Sequence, residues 1–165
     1  MFFKFRIQEY IFKISDETDT SLLQDEVEGI IDKTNSLDPD ILYLNPDSAA
    51  VAAKYHRRIK NDAQEALRIY RKSFKLNPGS YYLADVLGQT LIDEGEFDEA
   101  KATYYLAEDI LNRIPDHNIW SLATRTTAYL VLGKSDLAIK AANEIVALDP
   151  TANQTESIIS GISEK

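Results

Sequence analysis

The chain has no cysteine, only two histidines and no long apolar run among its 165 residues. Without cysteine it can form no disulfide, no thiolate metal site and no cysteine nucleophile. Its apolar runs are much shorter than the roughly 20 residues that cross a bilayer, so we expect no membrane insertion. Lys4 and Arg6 interrupt the apolar start, which therefore lacks the continuous core of a secretory signal. With neither a spanning run nor a secretory signal, a cytoplasmic location is the default expectation, and the lack of cysteine says little about the compartment.

Basic residues are also in the minority: the chain has 18 Lys and Arg and 27 Asp and Glu, which give a net charge of −9. Such a chain repels phosphates, so nucleic acid is not an expected partner. The charge is uneven: residues 47–80 carry 8 basic and 3 acidic side chains, whereas residues 81–118 carry 2 and 9. We interpret these blocks as attracting each other within the fold. The alternative is that the basic block binds a partner with an acidic stretch.

No catalytic motif is recognisable. The sequence contains no nucleophile elbow, no glycine-rich phosphate loop, no zinc-type histidine spacing and no dinucleotide fingerprint. His56 and His117 are far apart along the chain, and both are expected at the surface. We therefore expect no enzyme, no cofactor and no metal site.

One segment, IDEGEFDEA at residues 92–100, is dense in carboxylates: Asp93, Glu94, Glu96, Asp98 and Glu99. A calcium loop would need oxygen ligands at alternate positions, a central glycine and a closing glutamate, and this segment lacks that order. We interpret it as a turn, in which Gly95 ends one helix and the following acids complement and cap the start of the next. Phe97 is expected to pack there as a hydrophobic staple.

A repeat is visible in the spacing of stop signals, since Pro78, Pro115 and Pro150 are 37 and 35 residues apart. Apolar residues three and four apart precede each proline, which predicts a helix. A second helix is predicted before each of these, at residues 47–60, 81–94 and 119–132. The residues between the two helices tolerate a left-handed backbone; they are Asn61, Gly95 and Gly133. The pattern is helix, tight turn, helix, proline, three times over.

The segment LGQTLIDEGEFDEAKATYYLA resembles the tetratricopeptide repeat, a helix pair of roughly 34 residues. The family's motif positions are matched here by Leu87, Gly88, Gly95, Ala100, Tyr104 and Ala107. Gly88 and Ala100 are expected to lack bulk where the two helices cross, and Tyr104 to fill the space beyond.

The resemblance implies an all-α fold, a right-handed superhelical α-solenoid of antiparallel helix pairs with about three repeats, at residues 47–80, 81–118 and 119–152. Residues 1–46 are expected to form an N-terminal capping region or degenerate helix pair, with one helix at 21–39. For residues 1–15 the pattern fits both a helix and a strand, and we favour a helix. Residues 153–165 are predicted to form a C-terminal capping helix that buries Ile158, Ile159 and Ile162.

The resemblance also implies a concave face, lined mainly by the first helix of each pair, that binds a peptide or helix of another protein. The family's inward-facing positions fall on Tyr55, Arg58, Tyr82, Asp85, Gln89, Trp120, Ala123 and Thr127. Tyr82 and Trp120 hold equivalent places on successive helices and are the expected anchors. Gln89 and Thr127 are expected to hydrogen-bond the ligand backbone. Arg58 and Asp85 are expected to set its charge; the alternatives are a solvated Arg58 and a packing role for Trp120.

Tetratricopeptide co-chaperones hold the carboxylate tail of heat-shock chaperones with a clamp of Lys, Asn, Asn, Lys and Arg. The matching places here are Val51, Tyr55, Val86, Trp120 and Thr124. None matches, so a chaperone tail is not the expected partner. Two other functions stay open: a homo-oligomeric module that self-associates through its apolar N-terminal segment, and, more remotely, a small-ligand or enzymatic role.

Overall fold

The computed structural model describes residues 21–37 and 40–163, and every regular element in these ranges is a helix. The predicted all-α class, built of helix pairs, is therefore confirmed for the part of the chain described. None of these helices is long and apolar enough to span a membrane. The chain divides into two compact units, with the boundary between Pro78 and Gly79. The helix favoured for residues 1–15 lies outside the described residues, and the division into 1–46, 47–152 and 153–165 stays a prediction.

The first unit contains four described helices: α1 (Ser21–Leu37), α2 (Ile41–Leu44), α3 (Pro46–Arg58) and α4 (Ala63–Leu76). Helices α3 and α4 pack as a pair, and the short α2 contacts both of them. Asn61 turns the chain between α3 and α4 with a φ of +53°, as its residue type predicts. The start of α3 is fixed by Asn45, whose side chain accepts hydrogen bonds from the N–H groups of Asp47 and Ser48.

Tyr43 joins the short helix α2 to α4. Its carbonyl oxygen accepts hydrogen bonds from Ser73 Oγ and from Asn77 Nδ2, each at 2.9 Å. Its hydroxyl accepts another from Arg68 Nη2 at 3.0 Å, and Lys72 Nζ lies 4.0 Å from the centroid of its ring. The segment between α1 and α3 thus contains a helical turn, α2, that is fixed to α4 by polar contacts.

The second unit contains five described helices: α5 (Tyr81–Asp93), α6 (Phe97–Asn112), α7 (Ile119–Val131), α8 (Ser135–Ala147) and α9 (Ala152–Ser163). Helices α5 and α6 form one pair, and α7 and α8 form the next. Helix α7 packs against both helices of the preceding pair. The α5–α6 and α7–α8 turns hold Gly95 and Gly133 at φ +78° and +72°, in the left-handed region predicted for them.

The C-terminal helix α9 covers the last pair, since Ile158 packs in one cluster with Leu122 and Ile145. The predicted capping helix is therefore present, but its buried stripe differs from the expected one because Ile159 is exposed. The staple expected at Phe97 is wrong as well, since its ring is 60% exposed. The expected cap at Glu96 is absent, since its side chain makes no capping hydrogen bond, while Asp98 and Glu99 stand in the first turn of α6, where their charge complements the helix dipole.

Candidate functional site

Helices α5 and α7 begin each pair of the second unit, and they contact each other. Tyr82 is the second residue of α5, and Trp120 is the second residue of α7. The two rings thus hold equivalent places on neighbouring helices, as the sequence predicts. Tyr82 is partly buried, whereas 48% of Trp120 is exposed. An indole exposed to this extent is available for contact with a partner.

Asp85 and Gln89 follow Tyr82 at spacings of three and four, so the three side chains share one face of α5. One carboxylate oxygen of Asp85 accepts a hydrogen bond from Gln89 Nε2 at 3.2 Å. The other accepts one from the hydroxyl of Tyr104, on α6, at 3.3 Å. The carboxylate is therefore held between its own helix and the second helix of the pair.

Tyr104 is fully buried between α5 and α6. Burial raises the pKa of its hydroxyl well above the ordinary value, and the negative charge of Asp85 raises it further. The hydroxyl thus keeps its proton and remains a donor to Asp85. The family resemblance gave Tyr104 only a packing role, and no local signal in the sequence points to this second one.

On α7, the positions equivalent to Asp85 and Gln89 do not present the side chains for ligand contact that the sequence predicts. Thr127 is buried, and its hydroxyl donates to the carbonyl oxygen of Ala123 at 3.2 Å. The prediction that Thr127 hydrogen-bonds a ligand backbone is therefore corrected, because the group is used within its own helix. Ala123 packs against the cluster that holds α9 in place. On α7 the exposed group of this face is Trp120.

In the first unit, Tyr55 is fully buried rather than exposed on a groove. It packs with Val27 and Ile31 of α1, and its hydroxyl donates to the carbonyl oxygen of Gln24 at 3.4 Å and to Glu28 Oε1 at 3.3 Å. Burial raises the pKa of Tyr55, and the charge of Glu28 adds to the effect. The expected groove role of Tyr55 is thus corrected, because α1 covers this face of α3.

Arg58, by contrast, is the last residue of α3 and is exposed. It follows His56 and Arg57, two further basic residue types in the last turn of the helix. Cationic groups at this end complement the negative end of the helix dipole. An exposed Arg58 is compatible with both roles expected from the sequence: a solvated side chain, or a group that sets the charge of a ligand.

The two histidines lie in different units, and burial lowers the pKa of both His56 and His117. In the described ranges no group of three or more His, Asp or Glu side chains is placed to hold a metal ion. Helices α5 and α7, which contact each other, carry two rings, an amide and a fixed carboxylate. These groups bind through stacking, hydrogen bonds and charge.

A comparison with protein families found that residues 84–110 match the family model described as tetratricopeptide repeat. The second unit therefore contains a repeat of the tetratricopeptide type. The match covers most of α5 and α6, the same helix pair in which Gly88, Gly95 and Tyr104 carry the sequence resemblance. A comparison with curated proteins found no match. Tetratricopeptide repeats in general mediate contacts between proteins, and the family is typically non-enzymatic.

Proposed function

We propose that the protein binds a peptide or helix of a partner protein on the face shared by α5 and α7. We call this surface the leading-helix face and define it by Tyr82, Asp85, Gln89 and Trp120. The observation that carries the proposal is the exposed indole of Trp120, at the place on α7 that Tyr82 holds on α5. Large rings with a polar edge are common anchors of binding surfaces.

The face carries one polar group of fixed position, the carboxylate of Asp85, three residues after Tyr82 on α5. Asp85 is held by Tyr104 and Gln89, so it loses little conformational freedom when a ligand arrives. The amide of Gln89 lies beside it and supplies a second polar contact for a ligand backbone. Arg58 belongs to the first unit and is not included in the face.

The proposed role is that of a scaffold or adaptor in the cytoplasm, not an enzyme and not a binder of chaperone tails. A homo-oligomeric role through the apolar N-terminal segment is the alternative that the sequence leaves open. Analytical ultracentrifugation separates the two. A monomer, both with and without residues 1–15, contradicts the self-association alternative.

To test the face, a random peptide library displayed on phage is selected against the folded chain. Dye-labelled copies of the selected peptides are then titrated with each variant by fluorescence anisotropy. We expect Tyr82→Ala with Trp120→Ala to weaken binding about tenfold or more, since anchors of this kind contribute at least 1–2 kcal/mol. Far-UV circular dichroism checks that the double variant stays folded.

The matched controls are Phe97→Ala and Tyr105→Ala on α6, which remove rings that are 60% and 56% exposed but lie off the leading-helix face. These variants are expected to bind the peptides as the unchanged chain does. Peptides that bind the folded Tyr82 and Trp120 double variant at full affinity would contradict the proposal.

A further inference from the structure

We infer that the chain self-associates by placing its apolar start, residues 1–15, on an exposed apolar row of α8 in a second copy. We call this row the α8 stripe and define it by Ile139, Ala142 and Val146. The inference goes beyond the proposed function, because α8 carries none of the residues that define the leading-helix face. Self-association and partner binding use different helices, so a dimer still presents that face.

Helix α8 is apolar on two neighbouring faces. One face is buried against the rest of the unit and contains Ala138, Ala141 and Ile145. The other is the α8 stripe, whose residues are three and four apart and therefore lie in one row. In this row Ile139 is 61% exposed and Val146 is 72% exposed. Single exposed apolar residues are ordinary, but a row of them on one helix is typical of an interaction surface.

The repeat itself does not require apolar residues at these places. Counted from the glycine of each turn, the two exposed positions of the α8 stripe correspond to Lys101 and Glu108 on α6. Lys101 is exposed, and both carboxylate oxygens of Glu108 accept hydrogen bonds from Lys134 Nζ, at 2.7 and 2.6 Å. On α6 these places are thus polar, and one of them is paired within the unit. The α8 stripe is therefore a property of α8 and not of the repeat.

Residues 1–15 supply a row of the same kind. They lie outside the described residues, and their sequence spaces Phe3, Ile7, Tyr10 and Ile14 four, three and four residues apart. This spacing is typical of the apolar side of a helix, the state that we favour for this segment. An isolated helix of about this length is only marginally stable in water and gains most of its stability from packing of its apolar side. The α8 stripe offers such a packing surface.

Charge favours the same pairing. Residues 1–15 carry 3 basic and 1 acidic side chains, a net charge of +2, although the whole chain is at −9. Residues 135–165, which contain α8 and α9, carry 2 basic and 5 acidic side chains, a net charge of −3. Two of these acids, Asp136 and Glu144, are exposed on α8 itself. Opposite charges around an apolar contact speed association and disfavour wrong partners.

The segment is long enough to cover the stripe. As a helix, 15 residues span about 22 Å, whereas the α8 stripe extends over about 10 Å. Residues 16–20, which contain three acids, then connect the segment to Ser21, where α1 begins. Two copies that exchange their starts make two identical contacts, which closes a two-fold dimer. We therefore expect a dimer and not an open chain of copies.

Sedimentation equilibrium of the full chain, at about 1–100 μM, is expected to show a reversible dimer. The acceptor variant, Ile139→Ser with Val146→Ser, should weaken the dimer about tenfold or more, because it removes the apolar row that the segment contacts. Both residues are exposed, so the fold is expected to persist, as far-UV circular dichroism checks. The matched control is Phe97→Ser with Leu106→Ser on α6, which removes side chains that are 60% and 51% exposed but lie off the stripe. This control should dimerise as the unchanged chain does.

A mixing experiment identifies what occupies the stripe. The donor variant, Phe3→Ser with Ile7→Ser, removes the apolar row of the segment and keeps α8 intact. An equimolar mixture of the donor and acceptor variants retains one intact contact in each mixed pair. It is therefore expected to associate more strongly than either variant alone. Stripes that paired with each other, or segments that paired with each other, would give no such gain.

The inference is overturned by a chain that stays monomeric, or by a mixture that gains nothing over its two components. It is also overturned by a dimer that the acceptor variant leaves unchanged, or that the α6 control weakens equally. The proposed function is tested separately, because neither variant touches Tyr82 or Trp120. A monomer that binds the selected peptides through these two rings overturns only this inference. A dimer of the expected kind that binds no such peptide supports this inference and contradicts the proposed function.

Discussion

Gly88 on α5 and Tyr104 on α6 are in such close contact that a Cβ atom added to Gly88 would lie 2.6 Å from Cε2 of the ring. Real Cβ atoms do not approach another heavy atom so closely. Tyr104 is fully buried, and its hydroxyl is tied to Asp85, so the ring has little room to retreat. The crossing of these two helices therefore requires glycine at position 88.

Gly88→Ala is expected to destabilise the second unit. Overpacking of a core costs about 1–3 kcal/mol, while alanine recovers up to about 1 kcal/mol of helix propensity relative to glycine. The net loss should be up to about 2 kcal/mol in the free energy of unfolding, obtained from urea unfolding followed by Trp120 fluorescence.

Gly29→Ala is the matched control, because nothing lies within 4 Å of a Cβ atom added at this exposed position in α1. It should leave stability unchanged or raise it by up to about 1 kcal/mol, measured by far-UV circular dichroism. An equal loss in both variants would show that the contact with Tyr104 is not the cause.

The need for a small residue at Gly88 and the packing role of Tyr104 were predictable from sequence because the motif of a single helix pair is local, whereas the direct contact between them was not predicted. Helix bounds were predictable for the same reason, since apolar spacing and the turn residues Gly95 and Gly133 act within a few residues of themselves. The burial of Tyr55 was not predictable from sequence. Its spacing fits an inward-facing position on α3, but α1, which is distant along the chain, covers it. Thr127 also shares the helical stripe, but its short side chain bonds the carbonyl four residues back.

Alkaline pH is expected to weaken the second unit through Tyr104. Burial, with the charge of Asp85, raises the pKa of this hydroxyl in the folded state, whereas the unfolded chain titrates near the ordinary value of about 10. Above that pH the unfolded state binds fewer protons, so stability falls as pH rises, by about 1.4 kcal/mol per pH unit for one group.

Tyr104→Phe should remove the contribution of Tyr104 to the fall in unfolding free energy with rising pH. At neutral pH the variant should be about 1 kcal/mol less stable, because the hydrogen bond is lost. Urea unfolding of both proteins between about pH 9 and 11, across the ordinary tyrosine pKa, checks the difference. If the unfolding free energies of the two proteins fell equally with pH, Tyr104 would not be the cause of the alkaline destabilisation.

The carbonyl oxygen of Tyr43 gives a prediction about non-additivity in the first unit. It accepts from both Ser73 Oγ and Asn77 Nδ2, so each single removal leaves one donor in place. Ser73→Ala and Asn77→Ala are each expected to cost about 1 kcal/mol. The double variant leaves the carbonyl of a buried residue without these donors, so its loss should exceed the sum by about 1 kcal/mol or more.

Far-UV circular dichroism during urea unfolding measures these free energies. Thr103→Ala with Ser73→Ala supplies the additive reference, because Thr103 lies in the other unit. Losses at Ser73 and Asn77 that simply add would argue against a shared acceptor.

Mild acid is expected to weaken the first unit through His56. Burial lowers the pKa of this half-buried ring below its ordinary value, against the opposing charges of Glu65 and Asp62. The unfolded chain therefore takes up the proton first, and the stability present above about pH 6.5 is lost as pH falls. His56→Gln should flatten the stability profile between about pH 7 and 5, above the range in which carboxylates titrate. An unchanged profile in the variant would show that His56 does not contribute.

The hydrogen bond between Tyr104 and Asp85 joins the leading-helix face to the interior of the repeat. Asp85→Lys would leave the hydroxyl of Tyr104 with the backbone carbonyl oxygen of residue 85, at 3.5 Å, as its remaining acceptor on α5. Making Tyr104→Phe in the same step removes the hydroxyl that needs the acceptor. A change of charge on this face is therefore best made by paired replacements that reach from the surface into the interior.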